Sequence, residues 1–463
     1  MDLPAYQVPF VGNGIVIAIT ATVHVLISHG LAIGLVAMIV LAEFVAERRR
    51  SAEWRAFARD LTKFAVVVIT GVGAVTGVGI WFVTSAISPR AIGSLLRIFF
   101  WPWTIEWIVF IAELVILLVY YFTWDAMGCA AEAPRRRRHR LLGIGYLALT
   151  VLGAALITGI LGFMLTPASW PQDRQFWSAF LNQSYVPQLV LRLLVSVHLG
   201  ALVAACAALL YRRSRELGRQ AMPIFGGIAL VSLILLAPTV AWYFSRVPSG
   251  ARAESVSSVL TSRLAQAPGS FWIANATATG AILLCCAALL LRRHRTAMAL
   301  SPVALLMAIA LTAEFERIRE FIRGPCLVPG YMYANQALLA ELPLRRQRGL
   351  LEGDAWRRVR ETIPAELLGT RAESDRAAAF LFGQNCAACH TIGGVNDITT
   401  RLAGRSQDGI LVILGHAHEM VPFMPPFVGT EEERRLVAGF LHRLTAGEVE
   451  MASLSRFVPE AAP

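Results

Sequence analysis

The sequence predicts an all-α protein: a polytopic transmembrane helix bundle of about eight spans, followed by a small α-helical C-terminal domain. Of the 463 residues, 56% are hydrophobic and the mean hydropathy is +0.58. A soluble chain of this size would lack the polar surface to cover so much apolar material. The apolar residues also form long stretches, each near the roughly 20 residues that a helix needs to cross a bilayer.

Eight stretches of the chain are long and apolar enough to span a membrane. No basic residue precedes the first stretch, because the opening MDLPAYQVPF contains neither Lys nor Arg. A secretory signal peptide would begin with such residues, so we interpret this stretch as a retained span. The stretches lie near residues 14–46, 62–87, 99–124, 141–165, 187–211, 221–245, 271–291 and 297–320.

The charges of the loops predict the orientation. Loops after the first, third, fifth and seventh spans carry 18 Lys and Arg residues, and the intervening loops carry 6. Because basic loops stay in the cytoplasm, both termini are expected outside it. We therefore expect a multi-pass protein of the bacterial inner membrane with a periplasmic C-terminal domain. The net charge of +11 suits anionic lipid headgroups, and we expect no nucleic-acid partner.

The composition changes after the last span. We predict a transmembrane domain over residues 1–324 and an Arg- and Glu-rich connector with some helix over 325–373. A small globular domain over 374–448 and a loose tail over 449–463 complete the predicted organisation.

The C-terminal domain carries the attachment motif of a c-type haem. Cys386-Ala-Ala-Cys389-His390 has the C-x-x-C-H spacing in which two thiols bind the haem and the adjacent His ligates the iron. A zinc site would need a second pair of ligands at similar spacing, and the other five cysteines supply no such pair. The motif therefore predicts haem c.

Met424 is the expected sixth ligand of that iron. It lies in the segment MPPF, 34 residues after His390, and a thioether ligand raises the potential of a haem. The alternatives are Met420, His416 and His418, or a role for Met424 in packing alone. The domain resembles class I cytochrome c, in which a Met-Pro-Pro segment commonly carries this ligand.

Titratable side chains inside the apolar spans are candidate functional residues. Because such groups are costly in hydrocarbon, they are usually functional, and for His24, His29 and His198 we expect haem ligation. The alternative for each is a histidine bonded to a carbonyl group on a neighbouring helix. Glu106 and Glu113 lie seven residues apart in the third span, roughly on one helix face, and suit a proton route.

Several stretches of the first 330 residues resemble subunit I of cytochrome bd oxidase. The first span contains AITATVH, which ends in His24, and DLTKFAVVVITGVGAVTG leads into the second. The third has IEWIVFIAE followed by TWDAMG. The eighth ends in Glu320-Phe-Ile-Arg323-Gly-Pro, similar to the family's E-x-x-R-x-P motif. His198 matches the family's other haem-ligating histidine.

The resemblance implies specific roles. His24 and Glu320 would ligate the irons of a close haem pair, with Glu106 in the same site. Arg323 would steady propionates or Glu320, and His198 would hold a low-spin haem b. The membrane haems expected are two or more haems b, with haem d as the alternative for one of them. Because members of the family work as heteromers, a second membrane subunit is also expected.

The sequence departs from the family pattern at several places. The seventh span reads FWIANA where the family has a Met ligand, so that Asn275, another group or a new pairing of His29 would replace it. Trp81 stands where the family has a Glu. The loop over residues 246–270 has no convincing match to the family's quinol-binding loop. The family also has no fused haem c domain.

Two functions fit these observations. One is a bd-like oxidoreductase that moves electrons between membrane haems and haem c and reduces dioxygen. The other is an electron-transfer subunit without an open iron, which relays electrons between the quinone pool and periplasmic cytochromes or a dehydrogenase.

Overall fold

The computed structural model describes residues 5–129, 133–248, 268–421 and 423–449. Within them, eight helical segments are long and apolar enough to cross a membrane, as the sequence predicted. The segments are Asn13–Arg49, Ala52–Ile87, Phe100–Phe122, Pro134–Phe163, Tyr185–Leu209, Arg215–Arg246, Trp272–Leu290 and His294–Glu320.

The first two spans are each interrupted by a π-helical turn. The first consists of α1 (Asn13–Ile27), the π turn Ser28–Leu35 and α2 (Val36–Arg49). The second consists of α3 (Ala52–Val68), the π turn Ile69–Gly73 and α4 (Ala74–Ile87). Such turns are frequent at functional sites.

The remaining helices of the apolar part follow in order. They are α5 (Pro89–Ile98), α6 (Phe100–Phe122), the π turn Trp124–Cys129, α7 (Ala133–Phe163), α8 (Trp170–Asp173), α9 (Phe176–Phe180), α10 (Tyr185–Leu209), α11 (Arg215–Arg246), α12 (Pro268–Leu290) and α13 (His294–Ile322).

Polar residues at the loops set where these helices begin. Ser51 accepts a hydrogen bond from the Trp54 amide at the start of α3, and Ser214 accepts one from Leu217 at the start of α11. Such caps satisfy amides that have no partner within the helix. Arg50 takes a left-handed conformation, with φ of 52°, and so reverses the chain between the first two spans.

The chain divides into two compact units. One comprises Thr20–Gly79 and Leu96–Ile322. In this unit the first π turn and α10 cross closely. A Cβ on Gly34 would lie 1.9 Å from the Ser196 carbonyl oxygen, and a Cβ on Gly200 would lie 2.1 Å from the Gly34 carbonyl carbon. Only glycine fits at either position.

The other unit comprises the described parts of Met1–Ile19, Ile80–Leu95 and Arg323–Pro463. Its elements after the last span are β1 (Cys326–Val328), β2 (Met332–Tyr333), α14 (Leu342–Arg348), α15 (Asp354–Glu361), α16 (Arg371–Asn385), α17 (Ile398–Leu402), α18 (Gln407–Met420) and α19 (Glu431–Thr445). The antiparallel β1–β2 hairpin was not predicted. The predicted tail over 449–463 lies almost entirely outside the described residues.

The C-terminal helices share one core with part of the connector. Phe440 is fully buried with Leu381 and Ile410, which join α16, α18 and α19. The Glu433 carboxylate accepts hydrogen bonds from the Leu350 and Leu351 amides, both at 2.7 Å. The connector thus packs as part of this helical region.

The crossing at Gly34 and Gly200 generates a stability prediction. Gly200→Ala will lower the free energy of unfolding by about 1–3 kcal/mol or more, because the added methyl group collides with backbone atoms. Gly280→Ala in α12 is the matched control, since no atom lies within 4 Å of its Cβ position. The measurement is thermal unfolding in detergent, and equal midpoints for the two variants would contradict the close crossing.

Candidate functional site

His198 on α10 is held in the state that a metal-ligating imidazole needs. Its side chain is buried, with 4% exposed. Nδ1 lies 3.0 Å from the Ala229 carbonyl oxygen and 3.2 Å from the Ser232 hydroxyl oxygen on α11. The Ser232 hydroxyl also contacts the Ile228 and Ala229 carbonyls. A proton on Nδ1 satisfies this arrangement and leaves the lone pair on Nε2.

The Nε2 atom of His198 has no hydrogen-bond partner within the described residues, although it is buried. An unpartnered buried polar atom costs about 1–3 kcal/mol. A ligating histidine usually donates its other N–H to a carbonyl group, which is the role that Ala229 has here. The residues around His198 therefore fit a haem iron at Nε2.

His24 on α1 has a comparable arrangement. Its Nδ1 lies 3.3 Å from the Thr76 hydroxyl, which donates to the Val72 and Gly73 carbonyls and so acts as the acceptor toward His24. A Cβ on Gly77 would lie 3.1 Å from the imidazole Cε1, so the ring packs directly on the backbone of α4. Nε2 keeps its lone pair, which also suits a metal.

His29, also predicted to be a haem ligand, makes different contacts from His24 and His198. Its Nδ1 lies 3.1 Å from the Val25 carbonyl oxygen and 2.9 Å from the Ser28 hydroxyl. Its Nε2 accepts a hydrogen bond of 3.1 Å from Arg192. Both ring nitrogens therefore have protein partners. One of these partners is the Val25 carbonyl group. The alternative for His29 predicted a carbonyl partner on a neighbouring helix, whereas Val25 lies in the same helical segment.

Arg192 belongs to a buried ion-pair network that sequence reasoning missed. Its guanidinium lies 3.4 Å from the Glu316 carboxylate, which also accepts a hydrogen bond of 2.8 Å from Arg319. Arg192 and Arg319 are buried, with 7% and 8% exposed. An Arg within the apolar fifth span was the signal that could have revealed the network.

Glu320 occupies a more open position than its predicted role suggests. Its side chain is 42% exposed, and its carboxylate accepts a hydrogen bond of 2.7 Å from Arg319. The buried carboxylate of this region is Glu316, one helical turn earlier, with 13% of its side chain exposed. Glu316 and Arg319 repeat the E-x-x-R spacing of Glu320 and Arg323, and only the structure distinguishes the two pairs.

Glu106 and Glu113 both lie half-buried on α6. A Cβ on Gly153 of α7 would lie 3.1 Å from Oε1 of Glu113, so Glu113 faces the contact between α6 and α7. Asn275, at the position of the family's missing Met, donates a hydrogen bond of 3.3 Å to Glu314.

The Cys386–His390 segment begins where α16 ends. The Cys386 carbonyl accepts hydrogen bonds from the Cys389 and His390 amides, at 3.1 and 2.9 Å. Both cysteines are free thiols. Nδ1 of His390 is buried and has no hydrogen-bond partner within the described residues. Burial lowers the pKa of His390, which keeps the imidazole neutral and able to bind a metal, so this tight turn fits a covalent haem.

The predicted sixth ligand lies on a segment tied to this turn. Asn385, the residue before Cys386, bonds both the amide and the carbonyl of Val428, at 2.8 and 3.1 Å, and Val428 lies four residues after Met424. The rivals are less suited: His418 contacts the Met424 carbonyl at 2.7 Å, and the side chains of His416 and Met420 are exposed.

These features define a class of protein: a multi-pass helical membrane protein with buried histidines inside its spans. The sequence model of the family "Cytochrome bd terminal oxidase subunit I" matches residues 15–248, which is just over half of the chain. The chain belongs to the cytochrome bd terminal oxidase subunit I family. The matched region contains His24, Glu106, Glu113 and His198, and it ends before Glu320.

The fold is also similar to that of a solved structure, the bd oxidase from Geobacillus thermodenitrificans. The two chains are 20% identical, with a TM-score of 0.57 over 68% of this chain and 87% of that chain. This likeness shows a bd oxidase-like fold. No match was found among curated proteins.

The contrast between His198 and His29 generates a prediction on haem content. His198→Gln is expected to lower the haem content of the purified protein, because the amide is a poor iron ligand. His29→Gln will keep every haem, because an amide oxygen can still accept the Arg192 hydrogen bond. Pyridine haemochromogen analysis of purified protein measures both. Loss of haem from the His29 variant alone would reverse the assignment.

Proposed function

We propose that the chain is the haem-bearing subunit of a membrane oxidoreductase that moves electrons between haems in its spans and a haem c on its C-terminal domain, with dioxygen as the terminal acceptor. The buried, unpartnered Nε2 of His198 carries the proposal. Family membership supports oxidoreductase chemistry, and the C-x-x-C-H turn supports haem c.

The residues that would hold each group follow from the site. His198 would hold a low-spin haem b, and His24 and Glu320 would hold a close haem pair of type b, with haem d as the alternative for one. The C-x-x-C-H turn and Met424 would hold haem c. Bound haems supply one-electron and dioxygen chemistry.

The protein's own groups set the conditions for that chemistry. The Ala229 carbonyl and the Ser232 hydroxyl fix the ring orientation of His198. Arg323 would supply positive charge for propionates or for Glu320. Glu106 and Glu113 would hold protons in the membrane interior, where ionisable side chains are costly and usually functional.

The proposal also implies redox partners and a cellular location for the protein. We place the chain in the bacterial cytoplasmic membrane with its C-terminal domain on the periplasmic side. A second membrane subunit is expected, and quinone or periplasmic cytochromes are the expected redox partners. The predicted mismatch of the quinol loop concerns residues 246–270, most of which lie outside the described residues.

A second candidate is a relay that does not reduce dioxygen. The amide of Asn275, at the position of the missing Met, is bonded to Glu314, so the haem site near the seventh span differs in its ligands from the family pattern. An altered site of this kind would suit electron transfer between carriers.

Dioxygen consumption by the purified complex tests the choice between the two candidates. With reduced quinol or reduced cytochrome c as the donor, the proposed oxidoreductase consumes dioxygen, and Glu106→Gln slows it at least about 10-fold, because the amide cannot carry a proton. A complex that equilibrates electrons between the two carriers and consumes no dioxygen would establish the relay instead.

Covalent attachment of haem c has its own prediction. The double variant Cys386→Ala/Cys389→Ala will lose the haem that stays with the denatured chain, because neither thioether bond can form. Cys326→Ala, outside the motif, is the control and keeps it. Haem staining of a denaturing gel is the measurement, and an unstained wild-type chain would contradict haem c.

A further inference from the structure

A second cluster of polar groups is buried within the membrane-spanning unit. It consists of Glu43 on α2, Tyr120 on α6 and His139 on α7. Tyr120 and His139 are fully buried, and Glu43 is 9% exposed. His139 was not among the histidines predicted inside the spans, because it follows the exposed arginines at 135, 137 and 138. The cluster thus lies at the end of the bundle that carries the basic loops.

The hydrogen bonds of this cluster meet at Glu43. Its carboxylate accepts one bond of 2.7 Å from the Tyr120 hydroxyl and faces Nδ1 of His139 at 2.8 Å. Nε2 of His139 lies 3.0 Å from the Tyr120 carbonyl oxygen. Nε2 therefore donates to the Tyr120 carbonyl oxygen, and one proton lies between Nδ1 and the Glu43 carboxylate. The arrangement holds an exchangeable proton between an imidazole and a carboxylate.

Stability alone does not account for such a pair. Taking two charges out of water is costly, and well-packed apolar residues often serve as well or better. The imidazole stacks on the Tyr120 ring at 4.5 Å and contacts the Trp124 ring edge-to-face at 4.6 Å, so apolar packing is already present. The neighbouring charges, Arg140 and Glu47, form an ion pair with each other. Glu43 instead contacts His139.

The cluster continues into a line of protonatable groups between α6 and α7. Along α6, Tyr120, Glu113 and Glu106 follow at intervals of seven residues, which keeps them on one face. Tyr146 lies seven residues after His139 on α7, and its buried hydroxyl has no hydrogen-bond partner within the described residues. Glu113 faces α7 at Gly153, a further seven residues along.

The line covers much of the membrane. Fourteen residues separate Tyr120 from Glu106, which is about 21 Å along a helix axis at roughly 1.5 Å per residue. The hydrocarbon core is about 30 Å thick. Successive groups are roughly 10 Å apart along the helix axis, which is longer than a hydrogen bond, so proton transfer along the line needs intervening water.

We propose that Glu43, His139 and Tyr120 form the proton-uptake site on the basic-loop side of the membrane, and that Tyr146 passes protons from it to Glu113 and Glu106. The proposal rests on the proposed function, because the reduction of dioxygen, the proposed terminal acceptor, consumes protons. One proton enters from bulk water at Glu43 or His139 for each proton that Glu113 gives up, so the line returns to its starting state.

The test uses the complete haem-loaded complex in lipid vesicles. Electrons are delivered to it, and a pH-indicator dye on the basic-loop side records proton uptake. Glu43→Gln is expected to slow uptake at least about 10-fold with an unchanged haem spectrum, and Glu43→Asp restores part of the rate. Tyr120→Phe removes one hydrogen bond to Glu43 and keeps the test open if the Gln variant does not fold.

Glu47→Gln is the matched control, one helical turn away on the same helix and 35% exposed, and it keeps the wild-type rate. Normal proton uptake in both Glu43→Gln and Tyr120→Phe would mean that the cluster only holds helices together. That result would overturn this proposal and leave the proposed function intact. Absence of electron-linked uptake in the wild type would overturn the proposed function with it.

Discussion

Every polar group inside this bundle must find its partner in the protein, because hydrocarbon offers no water to bond it. Most of the buried polar side chains obey this constraint. Arg192 and Arg319 share Glu316, and His139 shares Glu43 with Tyr120. The Nε2 of His198 is a departure within the described residues. The proposed haem iron at His198 would supply the missing partner.

The backbone around these imidazoles is arranged to bring helices unusually close. Gly34 and Gly200 allow the first π turn to touch α10 two residues from His198. Gly77 lets α4 approach the ring of His24. The π turns at Ser28–Leu35 and Ile69–Gly73 flank the same region. Small residues at helix contacts are typical of membrane proteins, and here they surround the candidate ligands.

The sequence predicted the parts of this structure that depend on composition along the chain. All eight spans are present, because a run of about 20 apolar residues has few alternatives to a membrane helix. The candidate ligands His24 and His198 stood out for the same reason, as polar residues in apolar runs. The C-x-x-C-H motif was visible because its chemistry requires contiguous residues.

The parts that the sequence missed depend on which side chains meet across helices. His29 lies in an apolar stretch of sequence, as His198 does. The contact of its Nε2 atom with Arg192 on another span distinguishes it from His198, and the sequence does not show that contact. Glu316 and Glu320 lie one turn apart with the same spacing to an Arg, yet one is buried and the other exposed. His139 sat among arginines and was interpreted with them, although it faces Glu43 inside the bundle.

The proposed function requires one chain to hold membrane haems, one of them with an open iron, together with a covalent haem c. A reduced-minus-oxidised visible spectrum of the purified protein, repeated with carbon monoxide, tests it most directly. We expect c-type and b-type bands together, with carbon monoxide shifting only a membrane-haem band. A spectrum without b-type bands, or with bands that all ignore carbon monoxide, would contradict it.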